Sequence, residues 1–258
     1  MERSMTQKLL AEFVGTFALI FIGAGTILSG HGANIVAVAF AHGLTIAVMV
    51  TAVGHVSGGH FNPAVTIAAL STQKIAAKDA MGYIGAQILG GVAGAGLLRG
   101  VLPSSVVSNR PDLNLGTPGL AGELTAGSGV VIEAVLTFFL VWVIFATAID
   151  PEGAFGKIAG LAIGLTITLD ILMGGVWTGA AMNPARWLGP ALVSGVWSNW
   201  WVWVVGPIAG GIVAAVLYDS GILLTRGTGG EALTAEGAPH GWGAHGEDED
   251  STPDAHED

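Results

Sequence analysis

The triplet Asn-Pro-Ala occurs twice, as Asn62-Pro63-Ala64 and Asn183-Pro184-Ala185, and Arg186 follows the second copy directly. Proline lacks a backbone N–H and suits the first turn of a helix, so each triplet marks the start of one. A helix start carries unsatisfied N–H donors and a partial positive charge. Two such ends brought face to face would repel cations, protons included. Asn62 and Asn183 could each donate a side-chain N–H to the oxygen of a passing water. A water held that way points its hydrogens away, which interrupts a proton-conducting chain. Arg186 would add a fixed charge, and a charge within a membrane segment is a functional candidate by default.

The elements that would position these groups read as membrane helices. Of 258 residues, 52% are hydrophobic and 11% are charged, against about 25% charged in soluble domains. Mean hydropathy is +0.66. A membrane helix needs about 20 largely apolar residues, and six stretches qualify, at roughly 9–30, 34–54, 80–101, 127–149, 158–176 and 200–224. The first is too long for the apolar core of a signal peptide and reads as a span. The segments near 62–70 and 183–193, which open on the triplets, are too short to cross. They are candidates for re-entrant half-helices, because non-helical backbone at membrane depth is tolerated only when buried in protein or lining a wet cavity.

The chain also repeats itself. Glu12…Thr16-Phe17 recurs as Glu133…Thr137-Phe138, Gly43-Leu44-Thr45-Ile46 as Gly164-Leu165-Thr166-Ile167, and Gly85 and Gly90 as Gly206 and Gly211. Each pair is 121 positions apart, as are the two triplets. Each copy holds three spans and one half-helix, and an odd number of crossings inserts the second copy upside down. The two half-helices then meet tip to tip near the midplane. The glycines Gly90, Gly91, Gly94, Gly96, Gly210 and Gly211 suit close helix packing.

Charge completes the outline. With the N-terminus inside, Arg3, Lys8, Lys74, Lys78, Lys157 and Arg226 are cytoplasmic and only Arg99 and Arg110 face outward, in keeping with the positive-inside rule. The net charge of −10 comes largely from the end of the chain, where nine of nineteen acids follow Arg226 without a base. That composition predicts a disordered, cytoplasmic tail over 227–258. The body is near neutral, which gives no sign of nucleic acid as a partner. There is no cysteine, and no nucleophile or metal-ligand cluster accompanies Glu12 and Glu133, so neither catalysis nor a cofactor is expected.

Two Asn-Pro-Ala triplets at a repeat offset, set in Ser57-Gly58-Gly59-His60-Phe61-Asn62-Pro63-Ala64-Val65 and Met182-Asn183-Pro184-Ala185-Arg186, resemble the aquaporin (major intrinsic protein) family over roughly residues 8–224. The resemblance implies an all-α membrane protein with six transmembrane helices and two re-entrant half-helices. The channel domain is expected at 1–226, with repeats at about 8–102 and 127–224. It implies a homotetramer in a cell membrane, one pore per subunit, with both termini cytoplasmic. It implies passive conduction of water, extended to ammonia or hydrogen peroxide, with exclusion of protons and ions. A glycerol facilitator is the alternative, and an ion-coupled secondary transporter a more distant one.

The same resemblance assigns residues. The narrow outer filter falls at His42, Ile171, Ala180 and Arg186, a set similar to that of plant tonoplast aquaporins. Glu12 and Glu133 support the re-entrant loops by accepting backbone N–H groups. His60 lines the inner vestibule. Trp187, where glycerol facilitators carry Asp, disfavours glycerol. Val204 stands where an aromatic is usual, with Trp203 adjacent. Asp170 lies about 100° around its helix from Ile171, away from the pore, and a buried carboxylate there needs a partner or a proton. The tryptophans Trp197, Trp200, Trp201 and Trp203 read as interface anchors or packing groups. His55 flanks the first loop, and His31 sits in an outer loop. His240, His245 and His256 fall in the tail.

Overall fold

The structure, a computed structural model, describes residues 3–107, 111–153 and 156–223. The side chain of His31, all of Arg110 and Arg226, and the expected tail with its three histidines lie outside the described residues.

Among the described residues, six helices are long and apolar enough to cross a membrane. They begin with α1 (Met5–Thr26), α2 (Ile35–Ser57) and α4 (Ala77–Val101), and continue with α6 (Ala126–Ile144), α7 (Ala159–Thr178) and α9 (Val202–Tyr218). The half-helices are α3 (Pro63–Ser71) and α8 (Pro184–Ser194), and a single turn, α5 (Ser104–Val107), follows α4. Among the described residues every regular element is helical. α1 starts four residues before its apolar run because Ser4 and Gln7 form a reciprocal capping box ahead of it. Left-handed glycines end α2, α7 and α8, at Gly58, Gly179 and Gly195.

The burial pattern is that of a bundle in lipid. On α2, Val36, Phe40, Leu44 and Val48 are exposed at a spacing of four, while Val38, Ala39, His42, Ile46 and Val50 are buried on the opposite side. Such a continuous apolar exterior is unfavourable in water and ordinary against acyl chains.

The repeat governs the packing. α1 lies on α4 and α2, and their counterparts α6 on α9 and α7. Each half-helix crosses over, α3 packing on α9 and α8 on α4, so neither copy buries its own half-helix alone. The copies join where α2 crosses α7. A methyl group on Gly43 would stand 2.4 Å from Gly164 O, and one on Gly164 2.3 Å from Gly43 O. These two residues are 121 positions apart, so their mutual contact places the pseudo-two-fold axis between them. Gly90 and Gly210 allow equally close approach within the outer pairs, a methyl group on each meeting Phe13 O and Ala134 O at 2.4 and 1.9 Å. Gly96, expected to pack tightly, has nothing within 4 Å of its Cβ direction and faces open space.

Candidate functional site

The triplets cap their helices in the same way. Asn62 Oδ1 accepts from Ala64 N at 2.8 Å, and Asn183 Oδ1 from Ala185 N and Arg186 N at 2.9 and 3.2 Å. Asn at an N-cap stabilises a helix by about 1 kcal/mol relative to Ala. Each amide nitrogen then reaches across the axis, Asn62 Nδ2 to Met182 O at 2.8 Å and Asn183 Nδ2 to Phe61 O at 2.9 Å. These reciprocal bonds hold the two helix starts together. They also refine the expectation for water. One amide hydrogen of each Asn is engaged across the axis, and one of its two N–H donors remains.

Behind each tip stands a buried glutamate. Glu12 Oε1 accepts from Ser57 Oγ and His60 N at 2.6 and 3.0 Å, and its Oε2 from Phe61 N at 2.7 Å. Glu133 repeats the pattern with Thr178 Oγ1, Ala181 N and Met182 N at 2.6, 3.0 and 2.7 Å. Phe61 and Met182 are non-glycine residues with φ of 49° and 50°, a strained conformation. The carboxylates therefore grip the chain at its strained residues. Hydrogen-bond donors satisfy each buried carboxylate, and at Glu133 the nearby Arg186 charge adds to them.

The supports also diverge. Gln87 Nε2 donates to Glu12 Oε2 and Thr66 Oγ1 at 2.8 and 2.9 Å, and His60 Nδ1 lies 3.1 Å from Thr66 Oγ1. In the second copy these positions are Ile208, Trp187 and Ala181. Trp187 is buried, stacks on Trp203 with centroids 5.4 Å apart, and donates to Pro118 O. It packs behind the tip and does not line the cavity. Trp203 Nε1 donates to Thr178 O at 3.0 Å, as Tyr83 Oη donates to Ser57 O at 2.7 Å in the first copy. The aromatic missing at Val204 is thus supplied one residue earlier. Its neighbours Trp197, Trp200 and Trp201 are exposed.

A narrow cavity runs past the Asn tips. Leu19, Ile46, Leu140 and Ile167 line it, two pairs of repeat mates that keep its middle apolar. His42, Ile171, Ala180 and Arg186 gather along the same cavity. Ile163 and Val65, the repeat mates of His42 and Arg186, also line it, so the axis exchanges a polar end with an apolar one. His60 lines the cavity too. Asp170 does not. It is buried, its Oδ2 has no hydrogen-bond partner, and Glu133 is near enough to act on it as a like charge. His55 is exposed at the end of α2.

Arg186 is held on two sides. Its Nε–H donates to His42 Nε2 at 3.1 Å and its Nη1 to Gly116 O at 2.8 Å. His42 Nδ1 lies 2.8 Å from Val38 O. Since Nε2 accepts, Nδ1 carries the proton and the imidazole is neutral. Gly116 closes the turn Pro111–Gly116, which dips towards the cavity. Sequence reasoning missed this carbonyl, because nothing in a loop's composition reveals which backbone oxygen faces a distant arginine.

Comparison with known proteins agrees with this architecture. The family model described as Major intrinsic protein matches residues 1–218. Aquaporin-4 of Mus musculus is 41% identical over 215 residues, covering 81% of this chain and 65% of the mouse protein, so the chain spans just under two thirds of that relative. Aquaporin TIP4-4 of Zea mays is 41% identical over 230 residues, with 86% and 88% covered. Aquaporin NIP3-1 of Arabidopsis thaliana is 43% identical over 221 residues, with 83% and 67% covered. Among solved structures, the aquaglyceroporin from Plasmodium falciparum superposes with a TM-score of 0.75 at 26% identity, over 86% of this chain and 98% of that one. With its inverted repeat, paired helix starts and six apolar spans, the chain is a multi-pass membrane protein of the aquaporin (major intrinsic protein) family.

Proposed function

We propose that the chain is a passive water channel that also passes small neutral solutes such as ammonia and hydrogen peroxide, and excludes protons and ions. The observation that carries this reading is the pairing of Arg186 with a neutral His42 on a cavity lined by Ile171 and Ala180. Arg186 places a fixed positive charge there, and no Asp or Glu lines the cavity among the described residues. A cation would meet Arg186 and two helix N-termini with no carboxylate on the cavity wall to bind it. A neutral solute needs only donors and acceptors, and these are sparse enough to release it quickly.

The lining argues against ion-coupled transport, because Asp170 lies off the cavity. It also gives Trp187 no direct part in excluding glycerol, so filter width rests on His42, Ile171, Ala180 and Arg186. We take Glu12 and Glu133 as supports of the re-entrant loops and His60 as part of the inner vestibule. The channel domain is taken as 1–226, with 227–258 as a separate tail, and the assembly as a homotetramer in a cell membrane. Positive charge at Lys8, Lys74, Lys78 and Lys157 favours cytoplasmic termini.

The test is stopped-flow light scattering on proteoliposomes, comparing water efflux with glycerol and methylammonium uptake. Fast water efflux with a low activation energy and little glycerol uptake is the expected result. Water flux no faster than in empty liposomes, with rapid glycerol uptake, would make the chain a solute facilitator instead.

A further inference from the structure

Helix α1 contributes none of the four residues assigned to the filter, yet it abuts both groups that hold Arg186. A methyl group on Gly23 would stand 2.4 Å from His42 Nε2 and 2.5 Å from its Cδ2. Both distances are far below any van der Waals contact, so the imidazole lies directly on the backbone of α1. The next residue, Ala24, is fully buried and meets the turn that carries the second acceptor. A methyl group on Gly116 would stand 2.7 Å from Ala24 Cβ and 3.0 Å from its Cα. Gly116 has φ of 72°, a conformation that a side chain would strain.

We infer that the Gly23–Ala24 step of α1 is a specificity-determining element: it seats His42 and Gly116 O on the two sides of Arg186, and so sets the width of the filter without touching the permeant. The inference rests on the filter reading above. The repeat supplies an independent comparison. The mates of Gly23 and His42 are Ile144 and Ile163, and both line the cavity. A branched side chain therefore fits at the equivalent level of α6, where no imidazole faces it. The glycine at 23 answers to the imidazole and not to the crossing of helices.

Adding a methyl group at Gly23 leaves the ring one way to move, off α1 and towards the cavity it lines. That motion narrows the passage and draws Nε2 from Arg186 Nε. Wide solutes should suffer more than water. A double-mutant cycle on the full chain in proteoliposomes tests this, with Gly23→Ala, His42→Ala and the double variant, each read for permeability to water, glycerol and methylamine, the last at alkaline pH where the neutral base is present. The expected result is that Gly23→Ala lowers the methylamine-to-water ratio by about tenfold, the discrimination a single added carbon gives in a tight pocket. In the His42→Ala background the same change should leave the ratio unaltered.

An unchanged ratio in Gly23→Ala, or an equal change in both backgrounds, would overturn the inference. If His42→Ala alone alters no ratio, it is the filter reading that falls. Should Gly23→Ala fail to insert, insertion of the double variant would support the contact with the imidazole, and failure of the double variant as well would refute it.

Discussion

Replacing either buried glutamate by glutamine separates the two halves of the repeat in a way their sequence symmetry would not suggest. Glu133 accepts three bonds, from Thr178 Oγ1, Ala181 N and Met182 N. In Glu133→Gln the single carbonyl oxygen can keep the first two, which share Oε1 in the native arrangement. The new NH2 then faces Met182 N–H, donor against donor. Leaving that buried N–H without an acceptor costs about 1–3 kcal/mol. The two surviving bonds lose their charge assistance and roughly half their strength. The sum is about 2–4 kcal/mol, a large share of the 5–15 kcal/mol that typically holds a domain. The loss falls on Met182, whose left-handed backbone carries the carbonyl that binds Asn62 Nδ2.

Glu12→Gln suffers the same clash at Phe61 N and disturbs a fourth donor as well. Gln87 Nε2 donates to Glu12 Oε2 and to Thr66 Oγ1, while Gln87 Oε1 is buried with no partner. Turning the Gln87 amide over would present that oxygen to the new NH2 but withdraw Nε2 from Thr66, so one bond of about 1 kcal/mol is lost in either orientation. The corresponding residue in the second half is Ile208, which has no such bond to lose. Glu12→Gln should therefore destabilise by about 1 kcal/mol more than Glu133→Gln. Unfolding of the detergent-solubilised proteins in graded denaturant, followed by near-ultraviolet circular dichroism, would measure the gap. Equal losses, or a larger loss for Glu133→Gln, would refute the role given to Gln87. In Gln87→Leu the difference between the two glutamine variants should vanish.

Asp170→Asn should keep the unfolding midpoint or raise it, and leave water flux unaltered, because Asp170 Oδ2 is buried without a partner; a marked drop in midpoint would show that the charge is satisfied. Trp203→Phe removes the donor to Thr178 O and should cost about 1 kcal/mol in the same unfolding assay. Ala180→Gly relieves a non-glycine φ of 40°, worth about 1 kcal/mol of strain, and opens the cavity wall. Glycerol uptake should rise with no loss of stability, and a narrower or unstable channel would count against the assigned lining. Lys74→Ala breaks the 2.8 Å pair with Asp219, both partly exposed, and should shift stability by no more than about 1 kcal/mol.

Much of this protein could be read from one dimension. Apolar runs longer than about 20 residues can do little else than span a membrane, so six helices and their approximate limits followed from composition. The constant offset of 121 positions carried the inverted symmetry, because a repeat with an odd number of crossings must invert. Proline after asparagine marked both half-helix starts, since local sterics and missing N–H groups act within a single turn. The glutamates stood out as charges where no charge is tolerated unsatisfied.

What the tertiary structure alone decided lies between segments distant in sequence. That each half-helix packs on the other repeat, that Trp203 replaces the aromatic missing at 204, and that Trp187 stacks behind the tip follow from side-chain packing. Packing depends on volumes at contacts that no linear pattern encodes. The same holds for Arg186. Its charge was legible in the chain, but its two acceptors are 144 and 70 positions away. One of them is a loop carbonyl, a group every residue carries, so only its place in space sets it apart.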